Sequence, residues 1–118
     1  MSEHAFHAAD VDVDPEAVRG AHERGEIQLI DVREPYEHDV GRIAGARHVE
    51  LERLASQAET IERDTPVVFY CRLGARSGMA ANAFRRAGWD AHSMDGGLEA
   101  WAARGLPLEP EGGHVADH

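Results

Sequence analysis

Short apolar runs and segments with helical spacing alternate along the chain. Strands are predicted where apolar or alternating residues run for a few positions, at 27–32, 48–49, 67–70 and 89–94. Helices are predicted where apolar residues recur every three or four positions or a start signal is present, at 15–24, 51–61, 77–87 and 98–103, with weaker helical character at 34–40. The pattern therefore predicts strands and helices that follow one another through short connections.

Two of the predicted helices carry end signals. Asp14 followed by Pro15 is typical of a helix start, with the aspartate as N-cap and the proline in the first turn. Ser77 is the predicted N-cap of the helix at 77–87, and Gly88 is its predicted end. The residues just before Ser77 are accordingly expected to form a loop.

This alternation is typical of βαβ units, whose right-handed crossovers give a mostly parallel sheet with helices on both faces. The predicted fold class is α/β, with one domain over 10–108 and flexible ends at 1–9 and 109–118. Ligands in such sheets collect beyond the carboxyl ends of the strands. The apolar strand at 67–70 ends at Cys71, so this residue lies where a ligand is expected.

Composition and charge narrow the range of functions. The 118 residues are 42% hydrophobic and 29% charged, as in ordinary soluble domains, and the formal net charge is -10. A field of that sign repels phosphate and argues against nucleic-acid and anionic-membrane partners. All 12 basic residues are arginine, which excludes catalysis through a lysine Schiff base. The sequence shows neither a secretory signal nor a membrane span, and a cytoplasmic protein is expected.

Cysteine and histidine usage bears on the kind of site. Cys71 is the only cysteine, so it forms no intrachain disulfide and is expected to be a free thiol. The eight histidines are scattered, and none shares metal-ligand spacing with Cys71, so no metal site is expected. Trp89 and Trp101 are expected to pack in or beside the core.

The segment from Cys71 to Ser77 (CRLGARS) lies between the buried strand and the predicted helix. Backbone amides of a tight loop and of a helix's first turn can converge there on one point, backed by the positive end of the helix dipole. A thiol at that point has its pKa lowered from about 8.5 and becomes a nucleophilic thiolate without a histidine base. Taken alone, Cys71 could simply end a buried strand, since free cysteine is often buried. Gly74, which permits a cramped loop, and two nearby arginines favour the functional interpretation.

Four motifs occur in order along residues 10–108. They are 30–34 (IDVRE) with Glu37, 41–46 (GRIAGA), 71–77 (CRLGARS), and 95–101 (DGGLEAW) with 105–107 (GLP). In this order and spacing the chain resembles the rhodanese family. One departure is Arg42, at a position where histidine is usual in the family.

The resemblance implies a sheet of about five strands and a sulfurtransferase that works by double displacement, with no metal or organic cofactor. Cys71 would take the outer sulfur of thiosulfate or of a persulfide donor, and hold it as a persulfide until a thiol, cyanide or a protein acceptor removes it. The loop residues implied in substrate binding are Arg72, Leu73, Gly74, Ala75, Arg76 and Ser77. The arginine side chains would meet the anionic end of the donor and the amides would form the cradle. Asp31 and Arg33 would brace the loop from the neighbouring strand end.

Alternatives to these assignments remain. Arg33 and Glu37, four residues apart, could form a surface ion pair only. Cysteine phosphatases share the fold, but they place an arginine six positions after the cysteine, and a histidine usually precedes that cysteine. In this chain Arg76 is five positions after Cys71, and Tyr70 precedes Cys71. The shorter loop predicts a cradle suited to sulfur and too small for phosphate. Non-enzymatic binding modules of the family typically lack the cysteine or the glycine-bearing loop, and this chain has both.

Overall fold

A five-stranded parallel sheet forms the centre of the computed structural model, which describes residues 7–117. The strands are β1 (Asp12–Val13), β2 (Gln28–Asp31), β3 (Arg47–His48), β4 (Val67–Tyr70) and β5 (Ala91–Met94), in the spatial order β1-β5-β4-β2-β3. All four neighbouring pairs are parallel. The predicted α/β class is confirmed, and β4 occupies the middle of the sheet. The local pattern does not predict β1, because two residues carry no periodicity.

Five α-helices flank the sheet within the described residues. They are α1 (Pro15–Glu23), α2 (Pro35–Val40), α3 (Leu54–Gln57), α4 (Ala75–Arg86) and α5 (Gly97–Ala103). Between residues 7 and 117, no helix combines the length and the apolar composition needed to cross a bilayer.

The prediction of one continuous helix at 51–61 is wrong. The chain instead forms 3₁₀ turns at Leu51–Arg53 and Ala58–Thr60 on either side of α3. At each junction a hydroxyl donates to the carbonyl three residues back, from Ser56 to Arg53 at 2.9 Å and from Thr60 to Gln57 at 2.6 Å. Such side-chain bonds compete with the helical ladder and break the segment into short turns.

Different helices cover the two faces of the sheet, because successive side chains of β4 point to opposite sides. Phe69 packs on one face against Phe84 of α4, which in turn meets Trp89 edge-on with ring centroids 4.8 Å apart. Tyr70 lies on the other face in a cluster with Trp101 of α5 and Val18 of α1. Helices therefore lie on both faces, and both tryptophans are buried as predicted.

The N-cap predicted at Ser77 is also wrong. Helix α4 begins at Ala75, and its N-cap is Gly74 in the left-handed conformation, with φ of 115°. Glycine adopts this conformation readily because it has no Cβ. Ser77 consequently lies inside the first turn of α4, where it is buried and its side chain faces Cys71.

The two ends of the chain were both predicted to be flexible. Of the segment 1–9, residues 1–6 lie outside the described residues. The segment 109–118 is described as far as residue 117 and lies against the domain. Its first residue, Glu109, forms an antiparallel bridge with Arg42, with N–O distances of 2.8 and 2.9 Å. Flexibility in solution stays a prediction for both ends.

Candidate active site

Cys71 follows the central strand β4 directly and lines a cavity of about 140 Å³. The other lining residues are Arg72, Leu73, Ala75 and Arg76. Larger concavities on the described surface contain no thiol, because Cys71 is the only cysteine of the chain. Within residues 7–117, no group of three or more His, Cys, Asp or Glu residues lies close enough together to hold a metal ion.

Hydrogen-bond donors surround the sulfur of Cys71. The backbone amide of Gly74 donates to Sγ at 3.1 Å, and the amide of Ser77 donates to it at 3.4 Å. The Ser77 hydroxyl lies 3.4 Å from Sγ and 2.7 Å from the hydroxyl of Ser93 on β5. The left-handed glycine and the first turn of α4 thus form an amide nest around the sulfur.

The nest changes the acidity of the thiol. Burial raises the pKa of Cys71, but hydrogen bonds from the hydroxyl and amide of Ser77 and from the amides of Gly74 and Leu73 outweigh it, so the pKa is lowered from its ordinary value. The positive end of the α4 dipole acts in the same direction. Backbone donors therefore favour the thiolate.

Helix α5 holds the cysteine loop, defined as residues 71–77, through its first amides. Leu98 N donates to the carbonyl of Cys71 at 2.8 Å, and Glu99 N donates to the carbonyl of Arg72 at 3.1 Å. A Cβ at Gly97 would lie 2.4 Å from the Arg72 oxygen and 2.6 Å from the Cys71 oxygen. The close approach of α5 to the loop therefore requires glycine at position 97.

Arg72 lies at the cavity between two carboxylates. Its Nε is 3.2 Å from Oε2 of Glu99, and its Nη2 is 3.4 Å from Oδ1 of Asp117. The Arg72 side chain is 26% exposed, which leaves it accessible to a ligand. Pairs this exposed contribute little to stability individually.

Arg76 also lines the cavity, but its guanidinium is bound to Glu37 of α2. The two hydrogen bonds are 2.8 Å from Nη1 to Oε1 and 3.0 Å from Nη2 to Oε2. Glu37 is fully buried and also accepts a hydrogen bond from the amide of Glu34 at 3.1 Å. Burial raises the pKa of Glu37, but the bonds from Arg76 and the Glu34 amide lower it overall. Arg76 thereby ties the cysteine loop to α2.

Asp31 and Arg33 form a buried ion pair at the end of β2. Arg33 donates from Nε to Oδ1 at 2.9 Å and from Nη2 to Oδ2 at 2.8 Å, and Nη2 also reaches the carbonyl of Gly41 at 2.7 Å. His38 Nδ1 lies 2.8 Å from Asp31 Oδ2. Burial raises the pKa of Asp31, yet the bonds from His38 and Arg33 outweigh it and hold the pKa at about 2.

These contacts make any bracing of the loop indirect. The side-chain hydrogen bonds of the Asp31–Arg33 pair run within the pair and to α2 and its end. Helix α2 in turn holds Arg76 through Glu37. The bracing role of Asp31 and Arg33 stays a prediction. The alternative interpretation, a surface ion pair of Arg33 with Glu37, is wrong, because Arg33 is buried and forms its ion pair with Asp31. Arg33 precedes α2, so the four-residue spacing does not put it on one helical face with Glu37.

The sequence profile described as Rhodanese-like domain matches residues 14–104. The chain belongs to this family. A curated relative, protein YqhL of Bacillus subtilis, is 41% identical over 78 residues, which cover 65% of this chain and 62% of YqhL. Thiosulfate sulfurtransferase GlpE of Pseudomonas aeruginosa is 39% identical over 88 residues, which cover 74% of this chain and 79% of GlpE. The match thus spans less than two thirds of YqhL but more of GlpE.

A solved structure of a similar protein superposes on this chain over most of the length of both. It is that of a rhodanese-related protein from Thermoplasma volcanium, with a TM-score of 0.76 and 25% sequence identity, and the match covers 82% of this chain and 95% of that one.

Sequence reasoning missed three side chains of this rhodanese-like site, Ser93, Glu99 and Asp117, the last of which lies in the segment predicted to be a flexible end. A signal for Glu99 was available, because the residue lies within the motif at 95–101. Ser93 gave no local signal. It pairs with Phe69 in the sheet register, and that register brings its hydroxyl to Ser77.

Proposed function

We propose that this rhodanese-like protein is a sulfurtransferase that carries sulfane sulfur as a persulfide on Cys71. The observation that carries the proposal is the ring of donors around Sγ, with the amides of Gly74 and Ser77 at 3.1 and 3.4 Å. The same donors lower the pKa of the thiol, which favours the nucleophilic thiolate without an adjacent base. The relatives named as sulfurtransferases support the same class of reaction.

In the first half-reaction, the Cys71 thiolate attacks the outer sulfur of a donor such as thiosulfate. A bond forms between Sγ and that sulfur, and the S–S bond of thiosulfate breaks. The electron pair of the broken bond leaves with sulfite, and the protein retains a persulfide anion. A persulfide donor reacts in the same way and releases a thiolate.

The amides of Ala75 and Arg76 are suited to the terminal sulfur of that persulfide. They are the first two amides of α4, so they have no carbonyl one turn back to bond. Both residues line the 140 Å³ cavity beside Cys71. Together with the helix dipole they would stabilise the negative charge on the terminal sulfur.

In the second half-reaction, an acceptor thiolate or cyanide attacks the terminal sulfur. The S–S bond of the persulfide breaks, Sγ leaves as the thiolate, and the product is a new persulfide or thiocyanate. The chain has no second cysteine, so the persulfide cannot close an internal disulfide and waits for its acceptor. We assign the protein to a reducing compartment such as the cytoplasm, because the reaction cycle needs this thiol free.

The contacts of Arg76 argue against a phosphatase. Both of its terminal nitrogens are bound to the buried carboxylate of Glu37, and binding of a phosphate by Arg76 would leave that carboxylate unpaired. A module that only binds partners has no need of a thiolate-stabilising nest. The nest around Cys71 therefore favours the enzyme over both alternatives.

The proposal is tested by cyanolysis and by mass spectrometry. Thiocyanate formation from thiosulfate and cyanide is measured beside hydrolysis of p-nitrophenyl phosphate, for the parent chain and for Cys71→Ser. Incubation with thiosulfate alone should add the mass of one sulfur atom to the parent, and cyanide should remove it; Cys71→Ser should show neither. Sulfur transfer by Cys71→Ser at the parent rate would refute the proposal. Phosphate hydrolysis without thiocyanate formation would favour the phosphatase. Absence of both reactions would favour a binding module.

A further inference from the structure

A C-terminal strap, defined as residues 109–117, lies against the end of α2. Beyond the bridge at its first residue, His114 N donates to the carbonyl of Val40 at 2.9 Å, and Val115 packs against the core cluster shared with α1 and α5. Gly41 has an extended φ of -178°, yet a Cβ there would lie only 1.9 Å from the carbonyl oxygen of His114. The strap thus fills the space that the missing side chain of Gly41 leaves, which makes it part of the packed structure.

The far end of the strap reaches the cysteine cavity. Oδ1 of Asp117 lies 3.4 Å from Nη2 of Arg72, and the hydroxyl of Tyr36 donates to the Asp117 carbonyl at 3.3 Å. Arg72 also pairs with Glu99 at 3.2 Å. One guanidinium beside the nucleophile therefore faces two carboxylates, and this cluster has a net negative charge. A dianion such as thiosulfate that approaches Arg72 must compete with both.

We propose that Asp117 is a specificity-determining residue, held on Arg72 by the strap so that the site disfavours anionic sulfur donors relative to uncharged ones. Its side chain is 98% exposed, so a donor can displace it. An exposed ion pair contributes little free energy, and the expected discrimination is accordingly about two- to fivefold. The inference rests on the proposed function for its substrate, but its first test does not require sulfur transfer.

The first test measures alkylation of Cys71 by iodoacetate and by iodoacetamide, which differ mainly in charge. In both reactions the thiolate forms a bond to the CH₂ carbon, the C–I bond breaks and iodide leaves. The measured quantity is the ratio of the two second-order rate constants at low ionic strength. Asp117→Asn should raise the iodoacetate to iodoacetamide ratio by about two- to fivefold. High salt should reduce the gain, because the charges are exposed.

Two controls separate the strap from a general effect of charge. Asp64→Asn makes the same charge change before β4, at the opposite end of the strand from Cys71, and should leave the ratio unchanged. In an Arg72→Ala background, Asp117→Asn should have a much smaller effect, because the carboxylate then has no guanidinium for which to compete with the anion. An equal ratio for Asp117→Asn and Asp64→Asn would overturn the proposal. An undiminished effect without Arg72 would overturn it as well.

The second test uses sulfur donors. For Asp117→Asn, kcat/KM for thiosulfate should rise by at least the factor found for the alkylation ratio, because thiosulfate carries two negative charges and iodoacetate one. The uncharged comparison is an organic trisulfide: the Cys71 thiolate attacks its central sulfur, a mixed trisulfide forms on Sγ, and the S–S bond to the leaving thiolate breaks. The second-order rate constant of this step, followed by mass spectrometry, should not rise. An equal rise for both donors would contradict the assignment of Asp117 to donor charge. Absence of sulfur transfer by the parent chain would refute the proposed function alone, since the alkylation ratio judges Asp117 independently.

Discussion

Replacement of Arg76 by alanine separates two roles that the sequence alone does not distinguish, contact with the donor and support of the loop. Arg76 supplies both hydrogen bonds to the fully buried carboxylate of Glu37, at 2.8 and 3.0 Å. Without Arg76 that carboxylate keeps the amide of Glu34 as its remaining described donor. Removal of one partner of a buried pair costs about 3–5 kcal/mol. We therefore expect Arg76→Ala to lower the free energy of unfolding by about 3 kcal/mol at neutral pH.

Arg72→Ala is the matched control, because it removes the same side chain from the same loop. The partners of Arg72 are Glu99 and Asp117, whose side chains are 43% and 98% exposed, so this change should cost less than about 1 kcal/mol. Both variants are compared with the parent by urea denaturation. Addition of Glu37→Gln to Arg76→Ala removes the unpaired charge and should recover part of the lost stability.

The pH dependence of Arg76→Ala provides a second check. In the parent, the bonds from Arg76 help to lower the pKa of Glu37. In Arg76→Ala, burial dominates and raises the folded-state pKa of Glu37 above its unfolded value. The variant should then gain stability relative to the parent as the pH falls through that raised pKa. The reasoning is wrong if the free energy of unfolding of Arg76→Ala lies within about 0.5 kcal/mol of the parent value and the KM for thiosulfate rises instead. Arg76 would then be a contact for the sulfur donor.

Two further predictions concern the supports of the site. The folded-state pKa of Asp31 is lowered from 3.8 to about 2, so ionised Asp31 stabilises the folded protein at pH values above the unfolded pKa. This contribution to the free energy of unfolding is lost as the pH falls. The loss should be about 1 kcal/mol at pH 3 and about 2 kcal/mol at pH 2. Urea denaturation should show this extra acid sensitivity in the parent and not in Asp31→Asn; parallel pH profiles would contradict it. Gly97→Ala should destabilise the protein and slow Cys71 alkylation, whereas Gly105→Ala, with a similar φ of 73° and nothing within 4 Å of the added Cβ, should cost only about 1–2 kcal/mol. Equal losses for the two glycines would exclude a role for the collision with the loop carbonyls.

Local pattern was sufficient for much of the fold and for the position of the nucleophile. The continuous apolar run at 67–70 predicts a buried strand, and Cys71 and Gly74 follow it directly, so a cysteine at the carboxyl end of a parallel strand could be inferred. The start of α4 could not be inferred in the same way. Serine is a common N-cap residue, which favours Ser77, but the left-handed Gly74 starts α4 earlier. The amides of the first turn of α4 thereby point toward the Cys71 sulfur.

The candidate nucleophile could be inferred from the amino-acid sequence alone, because a single cysteine, its glycine-bearing loop and the absence of lysine are properties of composition and short spacing. The tertiary structure decided which charges remain available to a ligand. Arg76 and Glu37 are 39 positions apart and meet only because β4 and β2 are neighbours in the sheet. Asp117 reaches Arg72 only because the strap packs along α2. Side-chain periodicity reports which face of an element is buried, whereas the partner of a buried or edge charge depends on the order in which the elements pack.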